Sequence, residues 1–284
     1  MRQLIHSFNH SITQPFTHST IHSLAWYHDF FHGLPQLAWK AAQTDEQTQL
    51  ELELIVETLD FGPGDRLLDV FCGYGRHALP LARMGAHLTG VDIASDYIAE
   101  LQSAARQQKL PVVAVEGDIL TIPLADVQAG AGPTGQFDAA YCLGNSFSFF
   151  PRPDLHDFLG RLATLLRPGG RLLVHSQMVA ESVLPDYQSR NWQPIELADG
   201  STLLFMVENT YHPLDGRIDS QLTYVHGAET QTRTAQHYVY TLADLSQLFR
   251  AAGLPLIDVF GTEQGDPYAI GDADAWLLAE KVSD

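Results

Sequence analysis

Between residues 66 and 176 the chain alternates short, almost unbroken apolar runs with segments of helical periodicity, a rhythm that few folds can accommodate. The runs RLLDVF (66–71), HLTGVD (87–92), VVAVEGD (112–118), FDAAYCLG (137–144) and RLLVHS (171–176) are too uniformly apolar for strands with one wet face. Both faces of each must be covered. The cover comes from helices expected at Arg76–Met84, stopped by Gly85, at Ser95–Gln108, with Tyr97, Ile98, Leu101 and Ala105 on one face, and at Asp154–Leu166. Buried parallel strands with helices on both sides make a doubly wound α/β domain.

The flanks read differently. Residues 1–23 are rich in Ser, Thr, His and Gln without periodicity and are expected to be a flexible leader. Its pairs His6/His10 and His18/His22, and His28/His32 after it, have helical i, i+4 spacing but no third ligand, so no metal is assigned. Residues 24–60 form an expected helical cap: an aromatic segment from Trp26 to Trp39, then a helix opened by Thr44 with Gln47 three residues on. Residues 177–240 carry TLLFMVENTYH, IDSQLTYVH and TRTAQHYVY, three alternating runs separated by turn residues. They are expected to be an antiparallel insertion that covers the carboxyl edge of the sheet as a substrate lid. Residues 61–176 and 241–284 then form the main domain.

Composition excludes several partners. With 34 acidic against 16 basic residues and a net charge of -18, the chain lacks the cations that bind nucleic acid or an anionic membrane. Cys72 and Cys142 lie in apolar runs without metal-ligand spacing and are expected to be small buried hydrophobes. No stretch reaches the roughly 20 apolar residues of a membrane span, and the cytoplasm is the expected location. A monomer or homodimer is expected.

The chemistry is concentrated where the first strand runs into Asp69-Val70-Phe71-Cys72-Gly73-Tyr74-Gly75-Arg76-His77. Gly73 and Gly75 give a tight turn and a close backbone approach, as in dinucleotide sites, or simply a strand-to-helix turn. A carboxylate at Asp69 would repel a pyrophosphate but would accept a cationic amino-acid head group. Asp92 ends the second strand, where a carboxylate can hold both ribose hydroxyls or cap the next helix. Asp118 follows the third, where it can take an exocyclic amine between Ile93 and Ile119, or make a plain turn. Together these residues describe a nucleoside joined to a zwitterionic amino acid.

In these motifs the chain resembles the class I S-adenosylmethionine-dependent methyltransferases, through LLDVFCGYG, VDIA, EGDIL, FDAAYCLGNSF and LLRPGGRLLV in order over most of Leu67–Ser176. The resemblance implies a Rossmann-like seven-stranded sheet of order 3-2-1-4-5-7-6 with the last strand antiparallel. It implies S-adenosyl-L-methionine as cofactor and S-adenosyl-L-homocysteine as product. LGNSFSFF and the strand insertion look most like members that methylate small molecules such as glycine and amino sugars, and the Asn/Asp-Pro-Pro-aromatic loop of base methylation is missing. The expected cofactor residues are Asp69, Gly73, Gly75, Arg76, Asp92, Ile93, Asp118, Ile119, Leu143 and Tyr27, although Arg76 can also be solvated and Tyr27 merely packed. Asn145, Tyr211, Tyr224 and Tyr238 are candidates for the substrate.

Methyl transfer from a sulfonium to N or O of a metabolite is an in-line displacement, so positioning dominates. A neutral amine needs no base; for a hydroxyl the candidates are His175, with a satisfied core histidine as its alternative, His237 and Glu181. A non-catalytic cofactor-binding protein, a protein methyltransferase and an NAD-dependent oxidoreductase are the competing readings.

Overall fold

In the N-terminal region a 3-10 turn, Trp26–Asp29, leads into α1 (Leu34–Ala42) and α2 (Asp45–Leu59). The structure, a computed structural model, describes residues 26–283; the expected leader and the pairs His6/His10 and His18/His22 lie outside the described residues. His28 sits in the 3-10 turn and His32 beyond it, so this pair does not share a helix face. The Thr44 hydroxyl accepts from the Gln47 backbone N–H at 3.0 Å and caps α2, whereas the Gln47 side chain donates forward to Glu51.

The five apolar runs become β1 (Arg66–Val70), β2 (His87–Asp92), β3 (Val112–Glu116), β4 (Phe137–Cys142) and β5 (Leu166–Ser176). Between them lie α3 (Ala78–Arg83), α4 (Ser95–Gln108), the short α5 (Leu124–Gln128) and α6 (Arg152–Leu165). Helix α3 starts two residues later than expected because Arg76 and His77 still belong to the turn. A single-turn α7 (Ala180–Val183) follows β5 and leads to an antiparallel sheet of β6 (Arg190–Glu196), β7 (Thr202–His212), β8 (Arg217–His226) and β9 (Glu229–Tyr238). The chain closes with α8 (Leu242–Ala251), β10 (Leu256–Phe260) and β11 (Ala275–Glu280).

The main sheet has the order β10-β11-β5-β4-β1-β2-β3, with β11 antiparallel to both neighbours. This is the expected seven-stranded topology. Alternation along β1 sends Leu68 and Val70 into one apolar layer with Phe158 of α6 and Phe249 of α8. Leu67 enters the other layer, under Ile55 of α2, Leu81 of α3 and Leu101 of α4. Truncating a fully buried leucine such as Leu68 costs about 2–5 kcal/mol in cores of this kind.

The insertion has four strands, one more than its sequence pattern suggests. Strand β6 exposes every residue except Ile195 and contains Pro194, which an edge strand tolerates. The apolar face of this sheet, with Leu203, Leu222 and Tyr224, packs on Phe30, Leu34 and Ala38 of the N-terminal region. Insertion and N-terminal cap thus share a third core.

Candidate functional site

The carboxyl ends of β1 to β4 surround one cavity, lined by Asp69, Gly73, Asp92, Ile93, Asp118, Ile119, Leu143 and Gly144. Gly75 at φ 86° has no room for a side chain, since a Cβ would strike Leu101. Gly73 at φ 52° is different: a Cβ there would meet only Tyr97, at 3.8 Å, so the open space belongs to the cavity. Phe71 takes a left-handed φ of 63° without being glycine. Its ring lines the cavity floor and stacks on Phe158 at 5.9 Å. Holding an L side chain in this conformation costs roughly 1–2 kcal/mol.

The three strand-end acids have distinct environments. Asp92 accepts from the Gly73 and Ala94 backbone N–H groups, each at 2.8 Å, tying the glycine turn to the end of β2. Helix α4 is capped at Ala94 with no side-chain bond, so Asp92 is not its N-cap. Burial raises the Asp92 carboxyl above its usual range against these backbone bonds.

Asp69 is only 3% exposed, and its Oδ2 has no close hydrogen-bond partner among the described residues. Burial, reinforced by the Asp92 charge and opposed by nearby Tyr141 and Arg76, pushes its carboxyl up to about 8. The Tyr141 hydroxyl, on the adjacent strand in register with Asp69, is also buried and interacts with the Asp69 carboxyl, without a close hydrogen bond to any described residue. An ammonium group offers three donors and the missing charge, so these residues fit the amino-acid end of S-adenosylmethionine.

Asp118 is fastened by the Leu120 backbone N–H to Oδ1 at 2.9 Å, while Tyr27 Oη (3.4 Å) and His28 Nε2 (3.3 Å) reach its Oδ2. Tyr27, Phe31, Trp39 and Gln43 line the other side of the cavity, and Trp39 lies over Gly144. The N-terminal region therefore covers the site directly, with the insertion behind it. His28, Phe31 and Trp39 escaped sequence reading because nothing local in their aromatic segment indicates which wall it joins.

Arg76 and His77 line the cavity but are held from behind by Glu51 of α2. Arg76 Nη1 pairs with Glu51 and donates to Thr48 Oγ1 at 3.2 Å, and His77 Nε2 meets Glu51 Oε2 at 2.7 Å. Burial would raise the Glu51 carboxyl, yet His77 and Arg76 together bring it below its usual range. Burial lowers His77 below its usual range, against the opposing pull of the Glu51 carboxyl. Glu51 was also unforeseen, although its place four residues before buried Ile55 puts a carboxylate on the apolar face of α2.

Several candidates for substrate and catalysis lie elsewhere. His175 shares the sheet face of Leu173 and Tyr141; its ring stacks on Trp276 at 4.3 Å and Nε2 meets Asp274 at 2.7 Å. It is a core histidine, not a cavity residue. Asn145, left-handed at φ 68°, uses its amide oxygen to accept the Gln177 backbone N–H at 2.9 Å and so ties β4 to β5 outside the cavity lining. Tyr224 is buried against Phe205 in the core of the insertion, Tyr211 packs on Tyr187, and Tyr238 has Arg217 as its charged neighbour. None of these tyrosines lines the cavity; the apolar face that carries Tyr224 packs on the cap instead. Glu181 accepts the Leu242 backbone N–H at 3.1 Å, outside the lining. The His237 ring lies 5.4 Å from that of Phe149, which does line the cavity. Cys72 and Cys142 are free and buried. Among the described residues, no cluster of three or more His, Cys, Asp or Glu could hold a metal ion, and no helix is long and apolar enough to cross a membrane.

Sheet order and glycine turn define a Rossmann-like fold with a site for a nucleoside bearing a cationic amino acid, and comparison with known proteins names the family. Residues 67–170 match a methyltransferase domain. Glycine N-methyltransferase of the rabbit, Oryctolagus cuniculus, is 28% identical over 205 residues, 66% of this chain and 68% of that protein. Sterol 24-C-methyltransferase ERG6B of Gibberella zeae is 25% identical over 210 residues, 69% of this chain. The aligned part spans about half of the sterol enzyme, 52%. Among solved structures, the CcbJ methyltransferase of Streptomyces caelestis superposes with a TM-score of 0.70 at 16% identity, covering 86% of this chain and 92% of that one. CalS10, an amino pentose methyltransferase of Micromonospora echinaspora with S-adenosylmethionine bound, superposes with a TM-score of 0.63 at 19% identity, covering 88% and 98%. Residues 67–170 thus carry a methyltransferase domain, in a chain whose fold is shared with S-adenosylmethionine-dependent methyltransferases over most of its length.

Proposed function

We propose that this chain transfers a methyl group from S-adenosylmethionine to a nitrogen or oxygen of a small molecule by in-line displacement. The observation that carries this reading is the set of three acids at successive strand ends around one cavity, the innermost of them, Asp69, buried with Tyr141 and Arg76 beside it and no full counter-charge. In this reading Asp69 and Tyr141 hold the cofactor's ammonium group, Asp92 its ribose hydroxyls, and Asp118 its adenine amine between Ile93 and Ile119. The Gly73 backbone allows close approach, Leu143 offers backbone groups, and Tyr27 covers the nucleoside. Arg76 acts with Glu51 and His77 to fix the turn. When bound, the cofactor supplies an electrophilic methyl group on a sulfonium.

The chain's own contribution is orientation and the exclusion of water by residues 26–43, which rest on the insertion of residues 177–240. A small acceptor is supported by this cover and by the glycine and amino pentose named for two similar proteins. Burial pushes His237 down to about 4, so a neutral amine that attacks without help suits the site better than an alcohol that needs a base.

The test supplies methyl-labelled S-adenosylmethionine to the purified protein together with separate metabolite, protein and nucleic-acid fractions. Label and S-adenosylhomocysteine are expected with the metabolite fraction alone. Label in a macromolecular fraction, or no turnover with any of them, overturns the proposal.

A further inference from the structure

Of the buried polar atoms without a partner, Asp69 Oδ2 and Tyr141 Oη answer to the cofactor, and His175 Nδ1 and Trp276 Nε1 belong to a stacked core pair. Trp26 Nε1 and His237 Nδ1 have no such account. Their rings lie 5.9 Å apart and rest on a common neighbour, Phe149, at 4.7 and 5.4 Å. Phe149 in turn lines the cofactor cavity and stacks on Tyr27 at 6.0 Å. The two orphaned atoms therefore come from the N-terminal cap and from β9, on rings that both pack against Phe149 of the cavity wall from outside the lining itself.

An unmade hydrogen bond at a buried group costs about 1–3 kcal/mol, so neither atom stabilises the ligand-free fold. Their chemistry says what would satisfy them. The indole Nε1–H can only donate, and a neutral imidazole offers one accepting nitrogen. Burial alone acts on His237, without a charged neighbour to raise or lower it further. With Nδ1 as the accepting nitrogen, the two rings offer a donor and an acceptor without net charge and complement a group that also does both, such as a hydroxyl or an uncharged amine. A carboxylate would face the imidazole lone pair, and an ammonium group would find no counter-charge.

We propose that Trp26 and His237 form the acceptor-recognition pair of the transferase and bind a hydroxyl or uncharged amine of a neutral, hydroxyl-bearing amine next to Phe149. The proposal rests on the methyl-transfer reading above and adds the class of acceptor to it. Because cap and insertion each supply one partner, the acceptor site is complete only when the two are packed together.

The experiment uses the full chain and two acceptor probes, D-glucosamine at a pH where its amine is largely uncharged and glycine, which keeps its carboxylate. Trp26→Phe and His237→Leu retain apolar packing and remove the polar atom, while His237→Gln retains an acceptor. Glucosamine is expected to show at least tenfold higher kcat/KM than glycine. Each apolar variant is expected to raise the glucosamine KM about tenfold, the effect of one lost neutral hydrogen bond, with S-adenosylhomocysteine affinity within twofold of the parent. His237→Gln is expected to recover most of that loss. An unchanged KM in both apolar variants overturns the pair, as does a preference for glycine or the methylation of neither probe by a protein that binds S-adenosylhomocysteine. A parent protein that does not bind S-adenosylhomocysteine defeats the transferase reading itself and is told apart by calorimetry alone.

Discussion

The two walls of the cavity are built by different means. One is backbone and carboxylate: the ends of β1, β2 and β3, with Asp92 bonded to Gly73 across the strand gap. The other is aromatic side chain: Tyr27, Phe31 and Trp39, held in place by a core shared with a sheet far along the sequence. The first wall orients a ligand through fixed charges and fixed N–H groups, and it tolerates little change. The second excludes water through packing, and its errors should be felt more by the acceptor than by the cofactor.

The hardest test of this contrast is Asp92→Ala. It removes a carboxylate and leaves two buried N–H groups without an acceptor, so cofactor affinity is expected to fall by about 100-fold or more, read by calorimetry with S-adenosylhomocysteine. A loss of less than fivefold would break the distinction between the walls.

On the opposite wall, Leu203→Ala opens the core beneath the cap. It is expected to cost about 2–4 kcal/mol in denaturant unfolding and to raise the acceptor KM more than the cofactor Kd. Equal effects on both constants would show that the walls act as one body.

Asp69→Asn should separate folding from binding through pH. The folded carboxyl lies at about 8 against an ordinary 3.8, so between these values the native protein keeps a proton that the unfolded chain has released. Stability from this group therefore falls as pH rises from about 4 to about 8 and is level above that. The variant lacks this penalty, and its Tm is expected to exceed the parent's at pH 8 and to converge with it near pH 4. Binding has the opposite sign, because a cationic ligand favours the ionised acid. At pH 8 the variant is expected to bind S-adenosylmethionine about tenfold more weakly, a difference that shrinks as the parent is acidified. Calorimetry across this range reads both the gap and the proton release.

The smallest effect belongs to Tyr27→Phe. Its 3.4 Å contact with Asp118 is long, and removing it is expected to change cofactor affinity less than threefold in the same titration.

The same contrast governs how much the sequence disclosed. Asp69, Asp92 and Asp118 were legible because each stands at the end of an apolar run, and a strand end in a parallel sheet faces the ligand crevice. Sheet order was implied by the family that the motifs resemble. Of the cover only Tyr27 was legible, because the cover's contacts span the chain: Tyr27 meets Asp118 across 91 residues and the Leu34 N–H reaches Gln231 across 197. Periodicity says that Tyr224 alternates with its neighbours but not which object its face will meet. Here it met α1 and the aromatic cap, so the insertion packs on the segment that lines the cavity. His175 shows the same limit within the sheet, since its proximity to a strand end did not reveal that Trp276 and Asp274 would enclose it.

The strained turn at Phe71 has a practical consequence for redesign. Enlarging a binding cavity ordinarily sacrifices packing and gains nothing in return. At position 71 a change to glycine would widen the floor and at the same time release a backbone held left-handed against its preference, partly offsetting the lost ring contacts. A transferase meant to accept bulkier sulfonium donors than S-adenosylmethionine would best be opened there first, with Tm and donor Kd followed together.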